Sequence, residues 1–194
     1  MLYIGVDPGA SGGIAAVQTN GQVYQLEKMP ATDVDVLALL TAWREGGAGS
    51  LGAHAVLERV AAWRGCPMGP STILKLGAHW GGLQMALSAV GIAYDVVQPQ
   101  KWQAAMGCLT GGDKNVSKRR AQALFPGVTI THATADALLM AEYCRRQRSG
   151  YGKKEVEGEG QALRPADAGA REQGKKQKGA EVRRGRGAPR SRKG

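Results

Sequence analysis

The sequence predicts an α/β protein, a mixed sheet of five strands with helices on both faces. Three observations carry that expectation. Short apolar runs joined by tight turns crowd the first 29 residues. After them, stretches of helical periodicity alternate with two further apolar runs. The 194 residues also suffice for one domain with a sizeable core.

Leu2–Asp7, Ile14–Thr19 and Gln22–Met29 read as three strands. Asn20-Gly21 between the second and third is a two-residue hairpin signal, and the glycine-rich turn Pro8–Gly13 separates the first two. An antiparallel meander is the economical arrangement. Thr32 is placed to cap a helix carrying Val34, Leu37, Leu40 and Trp43 at helical spacing, broken by Gly46–Gly52. Ala53–Val60 is a fourth strand, apolar enough to be central, with Glu58 at its end.

Ser71–Val90 reads as a long helix whose apolar side is Ile73, Leu74, Leu76, Leu83, Leu87 and Val90. Its Gly77, Gly81 and Gly82 cost helix propensity and suggest close packing or a bend. Ile92–Val97 is the fifth strand. A short helical segment opens at Lys101-Trp102, with Trp102 expected as a packing anchor. Asp113–Leu124 is a basic helix, and a last helix runs from about Thr134 to Arg148 with Asp136 near its start. Arginines 145, 146 and 148 close it favourably for the helix dipole.

Charge divides the chain. Met1–Cys144 holds ten Lys/Arg against ten Asp/Glu, whereas Arg145–Gly194 holds sixteen against six and so carries the whole net charge of +10. Beyond Ser149 apolar periodicity is lost and Leu163 is the only leucine, so 149–194 is expected to be a disordered basic tail behind a domain of residues 1–148. Such asymmetry points to a polyanion, nucleic acid above all. Cys66, Cys108 and Cys144 are odd in number and form no CxxC pair, which argues against a zinc site or disulfide framework. No stretch is long and apolar enough to span a bilayer, so a soluble, cytoplasmic protein is expected.

Three acids fall at element ends: Asp7, Glu58 and Asp136. Neighbouring first and fourth strands would bring Asp7 and Glu58 together, and a helix packed across that edge would add Asp136. Clustered carboxylates repel and call for cations. Two Mg²⁺ or Mn²⁺ ions about 3.5–4 Å apart would serve phosphodiester hydrolysis. A first-strand acid followed by a glycine-rich turn also fits actin-like and sugar-kinase ATPases, but those need a second domain for which this chain has no length.

GVDPGASGGIA, the LERV segment, QPQKW with DKNVSKRRAQALFP, and HATADALLMAEY together resemble RuvC-type Holliday junction resolvases, the bacteriophage-encoded RuvC-like nucleases in particular. The resemblance spans roughly residues 1–148 and implies an RNase H-like fold. It also implies metal-dependent nicking of branched DNA, four-way junctions above all, by a homodimer in a bacterial or phage-infected cytoplasm. It matches Asp7, Glu58 and Asp136 to the metal-binding carboxylates. The family's fourth ligand, Asp or His, lies about a turn earlier. Here Ala133 stands three before Asp136 and His132 four before, so His132 is the candidate for fourth ligand or general base.

Lys101, Lys114 and Lys118 fall where the family has lysines near the scissile phosphate, and Arg119 and Arg120 extend that basic helix. Lys101 and Lys114 are therefore expected to assist catalysis, and Lys118, Arg119 and Arg120 to bind DNA. Trp63 and Arg64, in the loop after Glu58, are candidates for stacking on an unpaired base. Two other readings share the fold. One is a junction-binding protein that has lost activity, motivated by Ala133. The other is an exonuclease or an RNA–DNA hybrid nuclease.

Overall fold

The first strand, β1 (Leu2–Asp7), is the axis of the molecule because it is apolar on both faces and accepts a partner on each side. The computed structural model describes residues 1–47, 52–60, 68–109, 111 and 113–150, with the Lys114 side chain excepted. The expected roles of Trp63 and Arg64, and the segment from Tyr151 onward, lie outside the described residues.

On one side β1 pairs antiparallel with β2 (Gly13–Gln18), which pairs antiparallel with β3 (Val23–Lys28). On the other side it pairs in parallel with β4 (Ala53–Glu58), which pairs in parallel with β5 (Ala93–Val97). The order is β3-β2-β1-β4-β5, a mixed five-stranded sheet as expected. Gly21 takes the positive φ that the Asn20-Gly21 hairpin needs.

Helices α1 (Asp33–Ala42) and α2 (Pro70–Ala89) cover one face, packing Val36, Leu40, Leu83 and Leu87 on Leu2, Ile4, Val6 and Leu57. Helices α3 (Pro99–Met106), α4 (Lys114–Leu124) and α5 (His132–Arg148) cover the other, with Trp102, Met106, Ala121 and Leu138 against Tyr3 and Val56. Gly5 is where β1 and α5 meet most closely. A Cβ there would run into the backbone of Ala137 and Ala141. β1 is therefore pressed onto α5 with no side chain between them.

Expectations for three helices are corrected. The buried row of α1 is Val36, Leu40 and Trp43, whereas Val34 is 74% exposed. Thr32 caps the helix as expected, accepting from the Asp35 amide, but its α-helical turns end at Ala42 and a wider π-helical turn carries Trp43–Gly47. That turn brings the Trp43 indole to Gln25, 2.8 Å away. In α2 the buried residues are Leu83, Ala86 and Leu87, all toward its C-terminus, whereas Leu74 and Met85 are 74% and 69% exposed. Gly82 does pack closely, against the Asp33 carboxylate, while Gly77 and Gly81 face open space. Finally, α5 starts at His132 because Thr131 and Thr134 form a reciprocal capping box, which sets Asp136 in the second turn.

Candidate metal-carboxylate site

The parallel register of β1 and β4 pairs Val6 with Leu57, so Asp7 and Glu58 follow at adjacent strand ends. Alternation along each strand turns both toward the α5 face, opposite Val6 and Leu57 in the α1/α2 layer. The turn after β1 is built around Asp7. Gly9 adopts φ +101°, and the Gly12 amide donates back to the Gly9 carbonyl at 3.0 Å. A Cβ on Gly12 would strike the Asp7 carbonyl and lie 3.0 Å from its Cγ. Only glycine lets the chain fold back over this carboxylate.

Gly13 pairs with Asp7, and a Cβ on Gly13 would come within 2.7 Å of the Ala133 carbonyl. The first turn of α5 is thus seated directly on the turn beside Asp7. Asp136 lies one turn further on, four residues from the exposed His132 and on the same helical row.

Electrostatics join these elements. The Glu58 carboxyl is pushed up to about 7, first by burial and then by the negative charge of Asp136, while a hydrogen bond from Trp102 pulls the other way. The Cys108 thiol, pushed up to about 11 by burial and again by Asp136, senses the same charge and stays protonated. Glu142 is the contrasting case. Burial raises it too, but bonds from Arg145 and Arg146 outweigh this and hold it below the usual carboxylate range. Among the described ion pairs none reaches Glu58, and its neighbour Arg59 forms no salt bridge with it. A half-buried acid facing another acid is the kind of site that a cation relieves.

Among the described residues, however, no three His, Cys, Asp or Glu side chains are drawn together tightly enough to form a ready-made metal cage. Glu58 and Asp136 interact electrostatically, Asp7 ends the strand paired with Glu58's own, and His132 is exposed at the first position of α5. The expected ligands share one corner of the fold without closing on a common point.

A cleft of about 500 Å³ opens at this corner, and both Asp7 and Glu58 line it. Arg59, Gln98 and Gln100 line it as well. In the sequence Arg59 lies within the expected fourth strand as a possible salt-bridge partner of Glu58, and Gln98 and Gln100 stand only as part of QPQKW; none of the three carries a cleft signal. Arg59 is held in register by its amide, which donates to the Val97 carbonyl at 2.8 Å.

The expected basic residues separate. Lys101 does not line the carboxylate cleft; it borders a second cleft of about 340 Å³ with Asp95, Tyr143 and Arg148. Lys118 and Arg119 line an open groove of about 450 Å³ at the start of α4. Arg120 turns inward, its Nε donating to the Met106 carbonyl at 2.7 Å and closing the end of α3. Lys114 is the first residue of α4, preceded by its N-cap Asp113.

The fold is similar to the structure of Thermus thermophilus RuvC, with 16% sequence identity and a TM-score of 0.52 over 77% of this chain and 97% of that one. It is likewise similar to T. thermophilus RuvC in complex with Holliday junction substrate, at 15% identity and a TM-score of 0.52 over 77% and 96% of the two chains. No protein-family model and no curated protein sequence matches. The chain has the RNase H-like fold of RuvC.

Proposed function

We propose that this protein is a metal-dependent endodeoxyribonuclease that nicks branched DNA, four-way junctions in particular. The observation that carries the reading is the corner itself. Asp7 and Glu58 end adjacent parallel strands beneath α5, and Glu58 is raised to about 7 by burial and by Asp136. The RuvC fold supports it, since RuvC has been seen with a Holliday junction substrate.

The donor set fits hard divalent cations: three carboxylates of which two repel, with no basic side chain paired to Glu58 among the described residues. Asp7, Glu58 and Asp136 would hold Mg²⁺ or Mn²⁺, two ions per site, with His132 as the fourth candidate ligand. When bound, such ions supply Lewis acidity and neutralise charge at the scissile phosphate. Arg59 is positioned in the same cleft to bind a non-bridging phosphate oxygen. Left unligated, His132, exposed one turn from Asp136, is instead placed to accept the proton of the attacking water. Water oxygen bonds to phosphorus as the bond to the leaving sugar oxygen breaks. Lys114 is retained as a catalytic candidate at the start of α4. Lys101 is assigned to the backbone beyond the reacting phosphate, because it borders the neighbouring cleft.

Lys118 and Arg119 extend the contact along a DNA arm. Two symmetric cuts in a junction need two active sites, hence a homodimer. The outer row of α2 suits that role: Leu74 and Met85 are exposed, and Lys75 is the helix's only Lys or Arg. A two-fold interface sets a patch against itself, which favours an uncharged one.

Asp7→Asn tests the reading. It is expected to bind a four-way junction about as well as wild type while nicking it on the order of 100-fold or more slowly in Mg²⁺ or Mn²⁺. Undiminished nicking by this variant overturns the assignment. The second reading, a junction-binding protein without activity, draws on the open arrangement of the acids and on Ala133. Junction binding by the wild type with no nicking in any divalent ion decides for it.

The cationic segment after Ser149 is proposed to attach the enzyme to DNA non-specifically. Removing residues 150–194 should lessen the slope of log affinity against log salt while leaving Mn²⁺ affinity unchanged. An unchanged salt slope places the tail's role elsewhere.

A further inference from the structure

Glu58 is gripped by two tryptophans from opposite layers of the fold. Trp80 of α2 donates its indole N–H to the Glu58 backbone carbonyl at 2.9 Å. Trp102 of α3 donates its own to Glu58 Oε2 at 3.2 Å. The two rings belong to different cores: Trp80 packs against the cluster of the α1/α2 face, and Trp102 is a fully buried member of the α5-face cluster. A phenyl ring would fill most of either space.

An indole N–H is a donor only. It cannot ligate a cation or remove a proton, and it carries no charge that would compete with a cation for the carboxylate. A lysine or arginine in its place would neutralise Glu58, as Arg145 and Arg146 do Glu142. The indole instead fixes one carboxylate oxygen and leaves the net charge in place. The second tryptophan fixes the strand end from which the side chain departs.

We propose that Trp102 and Trp80 are positioning residues for Glu58, orienting its carboxylate to receive a divalent cation. This rests on the reading of Glu58 as a metal ligand. Outer partners that orient metal ligands typically change metal affinity by about 10–100-fold when removed.

The full chain without DNA provides the test. Trp102→Phe keeps a buried ring and loses the N–H. It is expected to melt as a folded protein and to bind Mn²⁺, followed by the electron paramagnetic resonance of the free ion, about tenfold more weakly than wild type. Excess Mg²⁺ should restore its junction nicking, which a merely structural defect would not allow. Trp80→Phe should show the same effect to a smaller degree.

Glu58→Gln separates the two layers of the argument. If Glu58→Gln loses Mn²⁺ binding while folded Trp102→Phe retains wild-type affinity, the positioning role is overturned and the metal site stands. If Glu58→Gln itself binds Mn²⁺ as wild type does, the metal site falls and the proposal with it.

Wild-type protein offers a measurement that does not depend on any variant folding. The indole N–H resonance of Trp102 should shift as Mg²⁺ is added, because its acceptor becomes a ligand. That of Trp43, which donates to Gln25 Oε1 at 2.8 Å on the opposite face, should stay put. Immobility of the Trp102 resonance at saturating Mg²⁺ overturns the proposal.

Discussion

Glu58→Gln is expected to abolish nicking and, at the same time, to make the metal-free protein more stable at pH 8. The two effects have one cause. In the folded chain the Glu58 carboxyl is raised from its ordinary 4.5 to about 7, by burial first and by Asp136 second. A carboxyl raised in this way contributes stability that is fully present below about 4.5, where folded and unfolded chains both hold the proton. Between about 4.5 and 7 the unfolded chain has released that proton and the folded chain has not, so stability falls as pH rises. Above about 7 both are ionised and the loss is complete, on the order of 3 kcal/mol for a shift of this size. Glutamine cannot ionise and still offers an amide oxygen to the Trp102 indole.

Urea unfolding of both proteins in chelator from pH 5 to pH 8 isolates this one group by difference. The stability gap should open in favour of the variant as pH rises. Added Mg²⁺ should reverse the order at pH 8, since only wild type gains the binding term. Parallel pH profiles would mean that Glu58 is not held in a strained, cation-seeking state.

How far the sequence disclosed this arrangement depends on which property is asked of it. The placement of Asp7 and Glu58 at strand ends was legible because each follows a run of apolar residues. The Asn20-Gly21 hairpin and the Thr32 cap were legible because turn and cap chemistry is local. The exposure of Leu74 was not. Its spacing matches that of a buried row, and only the position of α2 relative to the sheet edge decides which half of the helix is covered. Arg59, Gln98 and Gln100 reach the cleft through the β4–β5 register, a pairing between distant segments.

The basic residues teach a similar lesson. Lys118, Arg119 and Arg120 look alike in a row, yet one step of about 100° around α4 separates a groove-lining guanidinium from one that closes α3. Trp102 was legible as a packing anchor and serves as one. That its N–H also finds Glu58 follows from α3 crossing the end of β4, which no local pattern encodes.

The second large effect is structural and reaches the site through one helix. Gly5→Ala is expected to destabilise the protein by about 3 kcal/mol or more, beyond the usual cost of overpacking. The added methyl would meet the backbone of Ala137, Met140 and Ala141, and backbone cannot rotate away as a side chain can. To admit it, α5 must lift from β1. Asp136 precedes Ala137 on that helix, while Asp7 ends the strand beneath, so any lift also draws the two carboxylates apart. The fraction of Gly5→Ala that remains folded should therefore bind Mn²⁺ more weakly than wild type, and a lower urea midpoint should accompany that loss. Gly77→Ala is the matched control. Nothing lies within 4 Å of its would-be Cβ, its helix is exposed there, and alanine should raise stability by about 0.5–1 kcal/mol. An unchanged midpoint for Gly5→Ala would show that α5 is not seated on β1 at this contact, and the convergence of Asp136 with Asp7 and Glu58 would lose its mechanical basis.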